Sequence, residues 1–499
     1  MGEKMDISSE LNSVWKLVLL NQFHDILPGS SIDEVYRDSH AQYRQVFKIT
    51  ERLLNSTIRR LCSRINTSGD GIPVAVFNTL SWDRNSCVTV QLPKNVRNKK
   101  LIAVAPDKTA VPVQRGYDGF YRFIAGIPSA GYKVFHIKTG EVSSIPITAD
   151  SRKMENEHVL VNFDAAGRIK QIYDKTSDRE IIPQNAIANQ FLLYEDKTVT
   201  RGEAWDIDLF YMDKLLEADG KLLSFRVVEA GPVRGVVQIK RTISKSTIIQ
   251  NIILYKNIKR IDFETEIHWG PEKDVLLKVA FPLNIRSNTA RYEIQFGNVE
   301  RPTHQNTLRD LAMFEVPAHK WADLSEPDYG VALLNDCKYG YDIRRNVIRL
   351  TLLRAPRYPA KTADVNRIHK VTYSIFPHKG NFTNGVVRMA YDINIPLIAH
   401  IPTRTQKGLM SSSESWFSLS SEHVIIETIK KAENDDSIIV RLYEAHGCHA
   451  TCTLKTSLPI KHAIETNLLE QEERKIPVRE RKITLEFSPF QIRTLKLTL

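Results

Sequence analysis

Leu11, Val14, Trp15, Val18 and Leu19 recur at helical spacing, which predicts a helix over residues 8–27 capped by Ser8 or Ser9. Pro28-Gly29 ends it. Ser31-Ile-Asp-Glu34 matches a capping box, in which serine and glutamate satisfy each other's free backbone donors, and it predicts a second helix to about residue 65. The apolar stripe of that helix is Val35, Tyr43, Val46, Phe47, Leu53, Leu54, Ile58 and Leu61. Two helices joined by a tight turn form an antiparallel pair. Their stripes hold more apolar surface than one pair covers, so a further packing partner is expected.

After Asn66-Thr-Ser-Gly-Asp-Gly71 the period changes. Short β-type runs follow at Val74–Phe77, Cys87–Leu92, Leu101–Val104 and Tyr132–Ile137, divided by Pro, Gly, Asn and Asp. A longer series begins near residue 155 and includes Val159–Phe163, Phe225–Val228, Val233–Arg241, Thr247–Tyr255, Arg260–His268 and Leu276–Phe281. Strand-like runs continue to about residue 400. The polar stretch Arg404–Ser413 reads as a linker, and further strands include Val424–Thr428, Ser437–Tyr443, Ile483–Phe487 and Arg493–Thr498. No βαβ alternation occurs, so antiparallel sandwiches are expected rather than a parallel sheet. The fold class is mainly β with an N-terminal α-helical hairpin. The expected domains are 1–69 (helical), 70–150 (small β), 151–403 (large β) and 404–499 (C-terminal β).

The net charge of +11 brings nucleic acid and anionic membranes into view. The basic residues are dispersed among acidic ones, however, without the one-sided patch of a nucleic-acid module, so no nucleic-acid partner is expected. No apolar run approaches the roughly 20 residues of a membrane helix, and no membrane association is expected. Five cysteines in 499 residues suit a reducing compartment better than a disulfide framework. Residues 1–7 lack the apolar core of a signal peptide, which points to the cytoplasm.

The most pointed chemistry lies in Leu19-Leu-Asn-Gln-Phe-His24-Asp25-Ile-Leu-Pro-Gly-Ser-Ser31. A helix end with a Pro-Gly turn presents an imidazole and a carboxylate together. Neutral imidazole ligates zinc, and a neighbouring carboxylate orients it or holds a substrate hydroxyl. The plainer reading makes His24 a hydrogen-bonded interface residue and Asp25 a turn cap. His446-Gly-Cys448-His449-Ala-Thr-Cys452 matches no common zinc spacing and reads as a strand end. Phe191, Tyr194, Trp205, Phe210 and Tyr211 form either a sugar-stacking platform or core packing.

Trp15 to Ser31 resembles the helical-domain signature of family 38 α-mannosidases of the cytosolic branch. Val76-Phe-Asn-Thr-Leu-Ser-Trp82, Asn189-Gln-Phe-Leu-Leu-Tyr-Glu195, Ala204-Trp-Asp206, Tyr292-Glu-Ile-Gln-Phe-Gly297 and Arg301-Pro-Thr-His304 agree with that family. So do Trp321–Glu326, Leu333–Gly340, Leu352-Leu-Arg-Ala-Pro356, Pro377-His-Lys-Gly380 and Arg441–Gly447, in the family's order. The resemblance implies the remnant of a three-helix bundle followed by β-sandwich domains, among them a large mutarotase-like supersandwich. It implies a retaining hydrolase of terminal α-mannose in oligosaccharides, with zinc (cobalt is the other working metal left open). By position His24 corresponds to one of four zinc ligands, and Asp25 to a residue that contacts the sugar. Arg354, Trp205 and Asp206 are further substrate-binding candidates.

The family's other metal ligands, a His-x-Asp pair among them, and its catalytic carboxylates belong to a β/α domain. None of the fourteen histidines here is followed two residues later by aspartate. A retaining glycosidase needs two carboxyl groups about 5–5.5 Å apart. No catalytic residue is therefore assigned within this chain, and the chain alone is expected to be inactive. The expected partner is an N-terminal catalytic half or a second copy of the chain. The competing readings are a non-catalytic carbohydrate-binding or scaffold protein, and a truncated gene product.

Overall fold

The computed structural model describes residues 7–198, 203–362 and 364–499. Helix α1 spans Ser8–Leu20 and helix α2 spans Asp33–Cys62, packed as an antiparallel hairpin. α1 is shorter than its apolar spacing predicts. Buried Asn21 stops it: the side-chain amide donates to Leu17 O (2.9 Å) and across to Gln42 Oε1 (2.7 Å). Residues 21–28 then run through successive turns, so His24 sits on a turn rather than on the helix.

The expected caps do not form. The N-cap positions are Ile7 for α1 and Ile32 for α2, with no side-chain cap bond at either. Ser31 donates its N–H to Tyr36 Oη (2.8 Å), and Glu34 pairs with Arg37 (2.8 Å). One further carboxylate of this turn, Asp33, is committed to a distant loop described below.

α2 buries Val46, Leu53, Ile58 and Cys62 along one seam, while Phe47 and Leu54 stay open. Its C-terminal end rests on the small β region, where Ile58, Cys62 and Ile65 pack with Ala75, Phe77, Tyr132 and Val134. The stretch expected as a linker is tied down here. Met410 N donates to Arg64 O (2.9 Å), Asn66 N donates to Met410 O (2.9 Å), and Thr67 N donates to Gln406 O (2.9 Å). Strand Ser413–Ser415 then joins Gly131–Thr139 in the small sheet.

The centre of the molecule is a supersandwich. A nine-stranded sheet holding Arg234–Ile243, Ser246–Tyr255, Ile261–Trp269 and Arg367–Lys379 faces a six-stranded sheet holding Gln190–Glu195, Val275–Pro282 and Val347–Ala355. A five-stranded sheet from Thr148–Ala149 to Arg179–Glu180 shares the same apolar core. The ladders among the described residues are antiparallel, as in Gln190↔Ala280 and Ile261↔Ile375. Val275–Pro282 is buried along nearly its whole length, which explains why its residues are apolar apart from Lys278. Near residue 390 the structure departs from the strand-like reading: Val386–Asn394 is a helix. Gly385, at φ 87°, turns the chain into it. Val386, Val387, Ala390 and Tyr391 then bury one face, a helical period masked by β-branched residues.

The C-terminal region stacks a three-stranded sheet on a five-stranded one. Lys482–Phe487 shows the alternation well: Ile483, Leu485 and Phe487 point inward, while Lys482, Thr484 and Glu486 face water. No helix among the described residues is long and apolar enough to cross a membrane.

Candidate active-site surface

The turn carrying His24 and Asp25 is fixed from both sides. Tyr36, one turn into α2, donates its hydroxyl to Asp25 O (3.3 Å). Ser30 Oγ donates to Asp25 Oδ1 (3.2 Å). Asp33 reaches across to the supersandwich, accepting from Lys361 N (2.9 Å), Thr362 N (2.8 Å) and Thr362 Oγ1 (2.9 Å). Burial opposes the charge on Asp33, but these hydrogen bonds outweigh it and hold the carboxyl below its ordinary range. The hairpin is therefore latched to the 361–362 loop through a charged acceptor.

Trp205 meets this turn from the supersandwich. Its indole N–H donates to Asp25 Oδ1 (3.3 Å), and its ring lies 6.4 Å from that of Tyr358. Next to it, the backbone carbonyl of Asp206 accepts from Arg354 Nη2. Arg354 leaves the end of strand Val347–Ala355 and also pairs through Nε with Asp196 Oδ2 (2.5 Å). Burial pushes the Asp196 carboxyl above its ordinary value, against the pull of the Arg354 guanidinium.

All five sequence candidates thus meet on one surface, from three separate parts of the chain. His24 Nε2 lies 3.6 Å from Asp25 Oδ2, and its side chain is 79% exposed. Trp205 is 54% exposed, so indole and imidazole both face outward. Arg354 faces Asp196 and the Asp206 carbonyl. The 191–211 aromatics divide: Phe191, Tyr194 and Tyr211 are core, while Trp205 and Phe210 are exposed.

Asp33, Tyr36, Asp196 and Tyr358 escaped the sequence reading. Asp196 directly follows the Asn189–Glu195 block, and Tyr358 lies two residues beyond Leu352–Pro356, so adjacency to those blocks was the available signal. Nothing local marks Asp33, whose partners lie more than 300 residues away.

Three parts of the sequence match known domains. Residues 2–61 match the alpha mannosidase middle domain, residues 154–362 the glycosyl hydrolases family 38 C-terminal domain, and residues 423–495 the family 38 C-terminal beta sandwich domain. By these domains the chain belongs to glycosyl hydrolase family 38.

Alpha-mannosidase 2C1 of Homo sapiens is 36% identical to this family 38 chain over 99% of its length and 46% of that protein's. Alpha-mannosidase G of Dictyostelium discoideum is 33% identical over 98% of the chain and 48% of that protein. The chain thus spans about half the length of these relatives. The crystal structure of an alpha-mannosidase from Enterococcus faecalis V583 has a TM-score of 0.81 over 98% of this chain and 63% of that one. At 18% identity, that is a likeness of fold.

Removing the Arg354 guanidinium strands a buried carboxylate. Arg354→Ala is expected to cost about 3 kcal/mol of stability at neutral pH, the scale for breaking a buried pair. Without its partner, the raised Asp196 carboxyl is most destabilising when ionised. The loss should shrink as pH falls through the carboxyl's pKa, because a protonated Asp196 needs no counter-charge. Urea unfolding at neutral and mildly acidic pH checks both the size and the sign. An equal loss at the two pH values would exclude Asp196 as its source.

Proposed function

We propose that this chain supplies one wall of an α-mannosidase substrate site. His24 acts as a zinc ligand, and Asp25, Trp205, Asp206 and Arg354 bind the terminal mannose of an oligosaccharide. The observation that carries this reading is the convergence of residues 24–25, 205–206 and 354 on one exposed surface. Trp205 offers an apolar ring face for a sugar, and its N–H keeps Asp25 in place. Arg354 fixes the carbonyl at 206 and so sets the position of the segment carrying Trp205. The 361–362 latch ties Asp33, at the start of α2 beyond the His24 turn, to the supersandwich.

Among the described residues, the chain's own side chains do not complete a metal site at this surface. His24 contributes one imidazole, whereas zinc takes four ligands, or three plus a water. Among the described residues, the one group of three or more metal-ligating side chains gathered closely is elsewhere, at His423, Glu444 and Cys448. The remaining ligands, the nucleophile and the acid are therefore assigned to a separate catalytic domain. Bound there, zinc would serve to hold sugar hydroxyls. Exposed apolar side chains of the hairpin support such a partner: Trp15, Leu19 and Leu20 of α1, Phe23 in the turn after it and Phe47 of α2 are each more than half exposed. A cytoplasmic location accompanies this reading, by the resemblance of its sequence blocks to the cytosolic branch of the family.

The test is turnover of an aryl α-mannoside by the purified chain with added zinc, before and after joining to a relative's catalytic domain. No turnover above background is expected from the chain alone, and hydrolysis is expected once the domain is joined. Turnover by the chain alone would overturn the division of labour. The open Trp205–Tyr358 pair favours a second reading, saturable binding of mannosyl oligosaccharide without zinc and without cleavage.

A further inference from the structure

A cluster of three ligand-bearing side chains stands at one end of the C-terminal sheets, apart from the surface described above. Strand Ile438–Glu444 ends at Glu444, the chain turns through Gly447 (φ 79°), and Cys448 leads back into strand Ala450–Thr456. His423 precedes the neighbouring strand Val424–Lys431, whose Val424 is in register with Glu444. Antiparallel pairing therefore brings His423 to a turn more than 20 residues away. The motif visible in the sequence was a poor guide here. His449 points to solvent and Cys452 lies in the core, while the ligand that completes the group is His423.

His423 Nδ1 lies 3.4 Å from Cys448 Sγ, and Cys448 Sγ lies 3.4 Å from Glu444 Oε1. His446 Nδ1 is 2.8 Å from His423 Nδ1. Zinc bonds of about 2.0–2.1 Å to nitrogen or oxygen and about 2.3 Å to sulfur imply tetrahedral edges of about 3.3–3.6 Å. The two edges to sulfur already have that length. His446 stands beside the group, against His423.

Glu444 is fully buried and rigidly held. Its Oε2 accepts from Gly447 N (2.8 Å) and Phe490 N (2.9 Å), and its Oε1 accepts from His446 N (2.8 Å). Oε1 keeps a second lone pair, which faces Cys448. Second-sphere bonds of this kind orient metal-ligating carboxylates.

We propose that His423 Nδ1, Cys448 Sγ and Glu444 Oε1 bind a divalent ion of the zinc class, with the fourth position left to water. Imidazole, thiolate and carboxylate together suit zinc better than calcium or magnesium, which prefer all-oxygen sites. Binding displaces the Cys448 thiol proton to solvent. The ion would pin the 445–447 turn where the C-terminal sheets meet the supersandwich. There Asn298 Nδ2 donates to Ala445 O (3.2 Å), and Phe382 stands edge-on to His446.

The test is titration of the chelator-stripped full chain with cobalt, then displacement by zinc. One cobalt per chain is expected, with a near-ultraviolet thiolate-to-cobalt band that zinc abolishes. Cys448→Ser should remove the band, and His423→Ala should weaken cobalt affinity at least about 10-fold. His24→Ala should leave band and stoichiometry unchanged, which separates this site from the mannosidase reading. No thiolate band in the stripped wild-type chain would overturn the proposal, and so would a band that survives Cys448→Ser. Should a variant fail to fold, the wild-type band and the rise of wild-type Tm with zinc still decide the question.

Discussion

His24→Ala, made in the enzyme formed by joining this chain to a family 38 catalytic domain, is expected to lower kcat at least about 100-fold. That is the upper end of the loss seen when groups merely supporting a metal ligand are removed, and a ligand itself should cost no less. The turn that carries His24 is held by Tyr36 and Ser30, and α2 behind it is held by Asp33, none of which involves the imidazole. The side chain is largely exposed. Its loss should therefore leave Tm nearly unchanged while zinc content and turnover fall together. Measuring all three on one preparation makes the outcome decisive. Full zinc occupancy with normal kcat would remove His24 from the site, and a large drop in Tm would make its role one of folding.

The largest effect on stability is expected at Lys278. It is fully buried in the middle of Val275–Pro282. Its ammonium group contacts Asp342 Oδ2 (2.5 Å), Glu315 Oε2 and the Tyr211 hydroxyl (3.0 Å). Burial alone would lower its pKa, but Asp342 and Glu315 overcome that and hold it well above the usual lysine range. Lys278→Met keeps the volume and leaves Asp342 and Glu315 short of positive charge. Arg349, 2.7 Å from Asp342, compensates only in part. A loss of about 3–5 kcal/mol is expected by urea unfolding. The folded pKa lies above the unfolded one, so this stabilisation is fully present below the unfolded lysine pKa and fades only as pH rises through the folded value. The mutational loss should thus be constant across neutral pH. A loss within about 1 kcal/mol, the scale of an exposed pair, would mean that water reaches the cluster.

Much of the strand map was legible because period-2 burial is written locally. Leu101–Val104 and Val159–Phe163 have the bounds that their apolar residues imply. Helix ends were not legible. The Ser31–Glu34 pattern satisfies a capping rule, yet the Tyr36 hydroxyl takes the Ser31 N–H and Asp33 turns to a loop that local sequence does not reveal. The helix at Val386–Asn394 was obscured by β-branched residues whose burial on one side only the packed supersandwich decides.

The candidate site divides in the same way. His24 and Asp25 stand out by their chemistry at the end of an apolar helix, and the family blocks point to Trp205, Asp206 and Arg354. Their meeting depends on contacts across 148 to 180 residues of chain, and hydrogen bonds that distant leave no periodic trace. Asp196, beneath Arg354, has a role only because burial makes its charge costly. His423 joined Glu444 and Cys448 through strand register, which hydrophobic alternation constrains but a motif search does not see. The sequence by itself determined the β architecture, the helical hairpin and the family, since those rest on local periodicity and ordered blocks. The tertiary structure decided which polar groups face one another, because that depends on where buried surfaces bring distant segments together.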